Sequence, residues 1–345
     1  MAIDSKVVIS VEDLKKYYPV KSGIVDTILR KEKKNVKAID GITFNIYDGE
    51  IIGIAGESGS GKTTTGEIIT QLQETTDGKV FYNDMNIDDM SKNDVKNFRK
   101  ACQMIFQDPY ETLNPRFTIR RSIEEPLLIN GWKDEKKRLE KVRKALELAE
   151  LRPVDKYLSR FPHELSGGQR QRVAIARGIV LDPKLLIADE PVSMLDVSIR
   201  AGILNLLIKL RDEMGLTMVY VSHDLSTIKY ICNRTIIMYL GKIVEIGPTE
   251  EVIDKSSHPY TQALIASVPI PDPEVKRKKA KVDDELPDQI DLPKGCRFWP
   301  RCPEAFDRCK KEEPSLYRIG EGHYAACFLR ENFAQNEKTR IAGGN

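Results

Sequence analysis

Apolar and polar positions alternate over residues 7–14 and 38–47, the period of strands buried on one face. Residues 51–55 (IIGIA) are apolar without alternation, as in a strand buried on both faces. A glycine-rich turn, Gly56 to Gly61, follows, and Lys62-Thr63 opens a helical segment. Downstream the pattern predicts a short strand over 78–82, a helix over 94–100 and a buried strand over 102–106. Residues 108–115 (DPYETLNP) hold two prolines among turn formers and read as a loop. Helices are predicted over 117–129 and 134–150. In the second, Leu139, Val142, Leu146 and Ala149 recur at helical spacing along a charged background, the mark of a packed surface helix. A helix over 170–181, an apolar strand over 184–188 closed by Asp189-Glu190, a helix over 199–214 and a strand over 216–221 complete the series, with His223 just beyond. Strands alternating with helices imply a parallel core sheet whose chemistry lies at its C-terminal edge.

Residues 56–63 (GESGSGKT) match G-x-x-x-x-G-K-[ST] in the strand–loop–helix context that the motif needs. Side chains in place of the glycines would keep backbone N–H groups from wrapping phosphates; with the helix N-terminus behind them these groups form an anion site. Lys62 is placed to reach the β- and γ-phosphates, and Thr63 to give its hydroxyl to Mg²⁺. The chain is expected to bind a nucleoside triphosphate. The Gly-Gly pair of residues 165–169 (LSGGQ) again offers N–H groups ahead of a helix. Asp189, at the end of a buried strand in a P-loop protein, suits Mg²⁺. Glu190 directly after it can polarise an attacking water.

Composition adds bounds. At 345 residues the chain suggests a main domain plus an appendage. A 41% hydrophobic and 31% charged composition suits a packed core under a soluble surface. A net charge of +2 gives no global field for nucleic acid or an anionic membrane. The basic stretch 21–37 reads as an exposed loop. No apolar run approaches the roughly 18 residues of a membrane span, and the first 20 residues lack a signal-peptide core. The chain is therefore expected to stay in the cytosol, where six cysteines argue against a disulfide framework.

Four of those cysteines, Cys296, Cys302, Cys309 and Cys327, cluster near the end. Residues 258–268 should be helical, 269–292 form a proline- and charge-rich linker, and 295–327 is too small to fold on buried apolar surface alone. Disulfides, zinc and an iron–sulfur cluster compete as its staple. Structural zinc sites use C-x₂₋₄-C pairs, whereas these intervals are C-x₅-C, C-x₆-C and C-x₁₇-C. That spacing leans toward a polynuclear cluster and leaves zinc open. His163, His258 and His323 have no ligand-like partner close in sequence and read as structural.

The order GESGSGKT (56–63), Gln107, LSGGQ (165–169), LLIADE (185–190), SMLD (193–196) and His223 resembles ATP-binding-cassette (ABC) ATPases over at least residues 7–247. Met194 departs from the family's usual alanine, while Asp196 is intact. The resemblance implies an α/β P-loop NTPase cassette, 1–255, with a parallel core sheet, an antiparallel β subdomain and an α-helical subdomain at about 107–182. Residues 256–345 would be a small, metal-stapled C-terminal extension. It further implies that Tyr18, or in the other register Tyr17, stacks on adenine. Ser58, Gly59, Ser60, Gly61, Lys62, Thr63 and Thr64 would hold the phosphates. Gln107 would touch Mg²⁺ and the attacking water, Asp189 would order Mg²⁺ through water, Glu190 would be the general base, and His223 would contact the γ-phosphate. Ser166, Gly167, Gly168 and Gln169 would close over ATP bound to a partner cassette, so hydrolysis would need a head-to-tail dimer.

QDPYETLNPR (107–116), HPYTQALIASVP (258–269) and the cysteine tail resemble, more narrowly, the F-type ATPase subunits of oligopeptide and dipeptide importers. The implied partners are a paralogous D-type ATPase, two membrane permeases and, indirectly, an extracytoplasmic solute-binding protein, with the chain at the cytoplasmic face of the membrane. Residues 108–117 would lie under the permeases' coupling helices. Some members carry a [4Fe–4S] cluster at this cysteine motif, which favours that cofactor over zinc. The same role in an oligosaccharide importer, or a soluble cassette of repair or translation, are the alternatives.

Overall fold

The structure, a computed structural model, describes residues 6–20, 34–267 and 290–331. Most of the basic stretch 21–37 and of the linker 269–292 lies outside the described residues. The chain forms two compact units from interleaved segments: one from the described residues of 10–45, 52–81 and 223–345, the other from those of 1–9, 46–51 and 82–222.

In the first unit the strand Ile51–Ala55 runs parallel to Arg234–Tyr239, with Ile52 opposite Arg234 and Ala55 opposite Ile237. Ile52, Ile54, Ile236 and Ile237 are fully buried along it. Arg234–Tyr239 turns through Leu240 and Gly241 into an antiparallel partner, Lys242–Pro248. Both strands go beyond the sequence expectation. The hairpin Tyr317–Gly320 and His323–Ala325 then adds to the free side of Lys242–Pro248, Glu245 standing opposite Ala325. The cysteine-bearing extension is thus joined to this unit by strand pairing, a connection that spacing alone could not disclose. Asn35–Tyr47, Val7–Pro19 and Asp77–Tyr82 neighbour one another in that order in a separate sheet. The first two run longer than their alternating cores.

In the second unit Cys102–Ile105, Leu185–Asp189 and Thr217–Ser222 pair in parallel, Leu185 facing both Cys102 and Thr217. This is the register expected of an α/β sheet. Three helices, Ile119–Ile129, Glu135–Leu148 and Gly167–Ile179, pack on one another. Their shared core includes Ile123, Leu127, Val142, Leu146 and Val173, all fully buried, so the apolar stripe of the charged helix faces inward as predicted. The loop over 108–115 contains one short helix, Pro109–Thr112. Asp108 caps it by accepting from the Tyr110 N–H at 2.6 Å, and proline sits at its first position, where a missing N–H costs nothing. Among the described residues no helix is long and apolar enough to cross a membrane.

Candidate functional site

The loop after Ile51–Ala55 is shaped by backbone constraints. Gly56 has φ 152°, and a Cβ there would lie 2.2 Å from the Met238 carbonyl oxygen, so only glycine fits. Lys62 opens the helix Lys62–Ile69 and is buried. Its Nζ donates to the carbonyls of Gly56 and Glu57 at 2.9 Å each. The ammonium is thereby tied to the backbone of its own loop. Thr63 and Ser58 are exposed, and the buried Ser60 hydroxyl has no protein partner.

In the same unit Tyr17 and Tyr18 end the strand Val7–Pro19, both half-buried. The Tyr17 hydroxyl donates to the Asp40 carboxylate. Burial, together with that carboxylate, pushes the Tyr17 phenol up to about 12. The Lys16 ammonium lies over the Tyr18 ring, 5.0 Å from its centre. His223, also in this unit, is exposed.

The second unit holds Gln107, Asp189 and Glu190. Asp189 ends its strand nearly fully buried, 3% exposed. Glu190 follows with φ 44°, a conformation costly for a non-glycine residue, and its N–H donates to the Val221 carbonyl at 2.9 Å. The turn therefore lifts Glu190 out of the strand. Gln107 Nε2 donates to Glu190 Oε2 at 3.0 Å, so two residues 83 apart in sequence meet. Ser193, in the SMLD segment, binds the Glu190 carbonyl through both its N–H, at 3.2 Å, and its hydroxyl, at 3.0 Å.

The LSGGQ segment forms a reciprocal cap. The Gln169 side chain accepts from the Ser166 N–H at 3.1 Å, and Ser166 Oγ accepts from the Gln169 N–H at 3.4 Å. This capping box starts the helix at Gly167, so the Gly-Gly pair lies inside the first turn. A Cβ on Gly168 would stand 2.6 Å from Ile199 Cγ2, which explains the second glycine by close approach. Tyr110, from the 107–116 segment, packs against this helix with the Arg170 guanidinium 4.0 Å from its ring centre.

In the extension all four cysteines are free thiols lining one space with Phe298, Trp299, Phe328 and Leu329. That space amounts to about 320 Å³, part of it open to solvent. The Cys296 N–H donates to the Cys309 carbonyl at 2.9 Å. Burial pushes the Cys296 thiol up to about 12 and Cys302 up to about 11. Among the described residues no three His, Cys, Asp or Glu side chains form a group that could hold a single metal ion. His258 is fully buried and neutral, pushed by that burial down to about 4. Its Nδ1 accepts from the Tyr260 N–H at 3.0 Å. His323 pairs at 2.8 Å with Glu245, itself 0% exposed, and Glu245 also accepts from the N–H groups of Ser257 and His258. Both histidines are structural. Sequence reading missed Glu245, a lone acidic residue within an apolar run, which is itself a signal of a buried paired charge.

The P-loop, the buried aspartate followed by a lifted glutamate, and the capped LSGGQ helix together define an ABC-type ATPase. A family described as "ABC transporter" matches residues 39–193, and one described as "Oligopeptide/dipeptide transporter, C-terminal region" matches 244–309. The chain is 44% identical over 91% of its length to the dipeptide transport ATP-binding protein DppF of Haemophilus influenzae, covering 94% of that protein. It is 46% identical over 90% to the putative oligopeptide transport ATP-binding protein YkfD of Bacillus subtilis, again covering 94%. The dimeric structure of MJ0796, a bacterial ABC transporter cassette, superposes with a TM-score of 0.60 at 30% identity, over 70% of this chain and 98% of that one. The chain belongs to the ATP-binding proteins of the oligopeptide/dipeptide ABC transporter family. Its activity is ATP hydrolysis.

Proposed function

We propose that the chain powers import of di- and oligopeptides as one of two different ATPases beneath a pair of membrane permeases, at the cytoplasmic face of the membrane. The observation that carries the peptide reading is likeness running through the C-terminal region as well as the cassette. In this reading residues 1–255 are the cassette and 256–345 the extension. Tyr18 stacks on adenine, with Tyr17 as the other register. Ser58 to Thr64 hold the phosphates, Thr63 and Gln107 meet Mg²⁺, and Asp189 orders it through water.

Glu190 is the general base. The amide of Gln107 orients its carboxylate, and the fixed backbone turn keeps it clear of the strand. His223 contacts the γ-phosphate. Ser166 to Gln169 act on ATP bound by the partner ATPase, which fits an exposed capped helix start offering N–H groups. The superposable MJ0796 cassette is a dimer, in keeping with such an arrangement. A solute-binding protein outside the membrane delivers the peptide.

We further propose that Cys296, Cys302, Cys309 and Cys327 hold a [4Fe–4S] cluster. Their lining of one space, with apolar neighbours, supports four thiolates around a polynuclear group. When bound, such a cluster supplies a covalent staple for the extension and no step of ATP hydrolysis. The transport reading is tested in proteoliposomes holding the two ATPases, the permeases and the cognate binding protein. Peptides should stimulate ATP turnover severalfold; stimulation by oligosaccharides alone overturns the peptide assignment.

A further inference from the structure

The segment carrying Cys296 and Cys302 also grips the phosphate loop. Arg301, beside Cys302 and 9% exposed, donates from both terminal nitrogens to the Glu57 carboxylate, at 2.8 and 3.1 Å. A planar fork on two carboxylate oxygens fixes direction as well as distance. Glu57 is held on two further sides. Its N–H donates to the Tyr260 hydroxyl at 2.9 Å, and its carbonyl accepts from Lys62. Tyr260 is itself locked between Tyr239 and Phe298, with ring centres 4.5 and 5.4 Å away. Arg297, beside Cys296, donates to the Leu240 carbonyl and to the Asp40 carboxylate, which also takes the Tyr17 hydroxyl. One short stretch of the extension thus reaches both the phosphate loop and the strand end that carries Tyr18.

We propose that residues 296–302 brace this chain's own nucleotide site, and that Arg301 is a positioning residue acting through Glu57. The proposal rests on reading residues 56–64 as the ATP phosphate loop. A carboxylate within such a loop opposes a polyphosphate through like charge. Arg301 neutralises it, turns it away from the loop mouth and fixes the backbone whose N–H groups converge on the ligand. Less ordering is then left for ATP binding to impose.

The test is a double-mutant cycle on the full chain, reading affinity for a fluorescent methylanthraniloyl ATP with Mg²⁺, alongside unfolding midpoints. Arg301→Gln should weaken binding about tenfold, the scale of one charge-assisted contact. In the Glu57→Gln background the same change should cost less than about twofold, because no anion remains to neutralise. Arg301→Lys, which keeps the charge and loses the fork, should fall between and serves if Arg301→Gln does not fold. In the assembled transporter KM for ATP should rise with kcat nearly unchanged. Wild-type affinity in Arg301→Gln, or an undiminished loss in the Glu57→Gln background, overturns the proposal. Failure of the wild-type chain to bind the probe, or equal binding by Lys62→Ala, would instead remove the phosphate-loop reading beneath it.

Discussion

Gln107 Nε2 and Glu190 Oε2 stand 3.0 Å apart, joining the end of one parallel strand to the residue just past its neighbour. The contact gives the glutamate a fixed direction before any substrate arrives. In the proposed role of general base, a carboxylate so held needs no reorganisation at the moment of proton transfer. Glu190→Gln keeps the shape and removes the base, while Lys62 and Thr63 are untouched. ATP binding should persist, and hydrolysis should fall roughly two to four orders of magnitude. Single-turnover ATPase assays of the transporter, with the partner's site silenced, check this; near-normal turnover would refute the assignment.

Ser166 caps its helix and lies at the exposed start of LSGGQ. A bulky replacement, Ser166→Arg, loses the cap, worth about 1 kcal/mol, and obstructs the N–H groups beside it. The isolated chain should show a slightly lower unfolding midpoint and almost unchanged ATP affinity. The assembled transporter should lose turnover at the site whose P-loop belongs to the partner. Calorimetry on the monomer and ATPase assays on the complex separate the two effects. A large loss of affinity in the monomer would contradict action in trans.

What the sequence made legible were features written in local backbone rules. The glycines of the phosphate loop and the acidic end of an apolar strand each depend on neighbours a few residues away; the Ser166–Gln169 box, which starts its helix at Gly167 instead of the expected residue 170, goes beyond the sequence expectation. The arginine clamp was not legible, because Arg301 and Glu57 lie 244 residues apart and neither sits in a motif that demands the other. The hairpin Tyr317–Gly320 and His323–Ala325 was equally hidden. Its short strands carry little period of their own, and they are set by the edge of Lys242–Pro248 that they cover. Tyr17 and Tyr18 look alike in the sequence, and the contact of the Tyr17 hydroxyl with Asp40, 23 residues away, was hidden in the same way.

Glu245 fastens the extension to the sheet of its own unit. Its carboxylate takes two backbone N–H groups, from Ser257 and His258, and the His323 ring, with no exposure to water. Glu245→Ala strands all three donors in a dry site, a defect costing about 3–5 kcal/mol. Denaturant unfolding should show that loss. His323→Gln, which can still offer a donor, should cost much less. Equal stability of Glu245→Ala and wild type would show that the network carries no weight.

The four thiols of the extension decide between a cluster and a single ion by composition. A zinc site draws four ligands to about 2.3 Å from one centre, whereas a [4Fe–4S] cube accepts thiolates spread over its corners. The four cysteines line a common space together with Phe298, Trp299, Phe328 and Leu329. Metal binding requires thiolates, and a bound cation offsets the burial that now keeps Cys296 and Cys302 protonated. Protein purified without oxygen should be brown, with broad absorbance near 400 nm and iron and sulfide in about equal amounts. Colourless protein with one equivalent of zinc would assign the site to the rival metal. Cys302→Ser should lose iron and leave the hairpin more open to limited proteolysis. Because Arg301 adjoins Cys302, the same variant should also bind ATP somewhat more weakly, and unchanged iron content in it would exclude Cys302 from the ligand set.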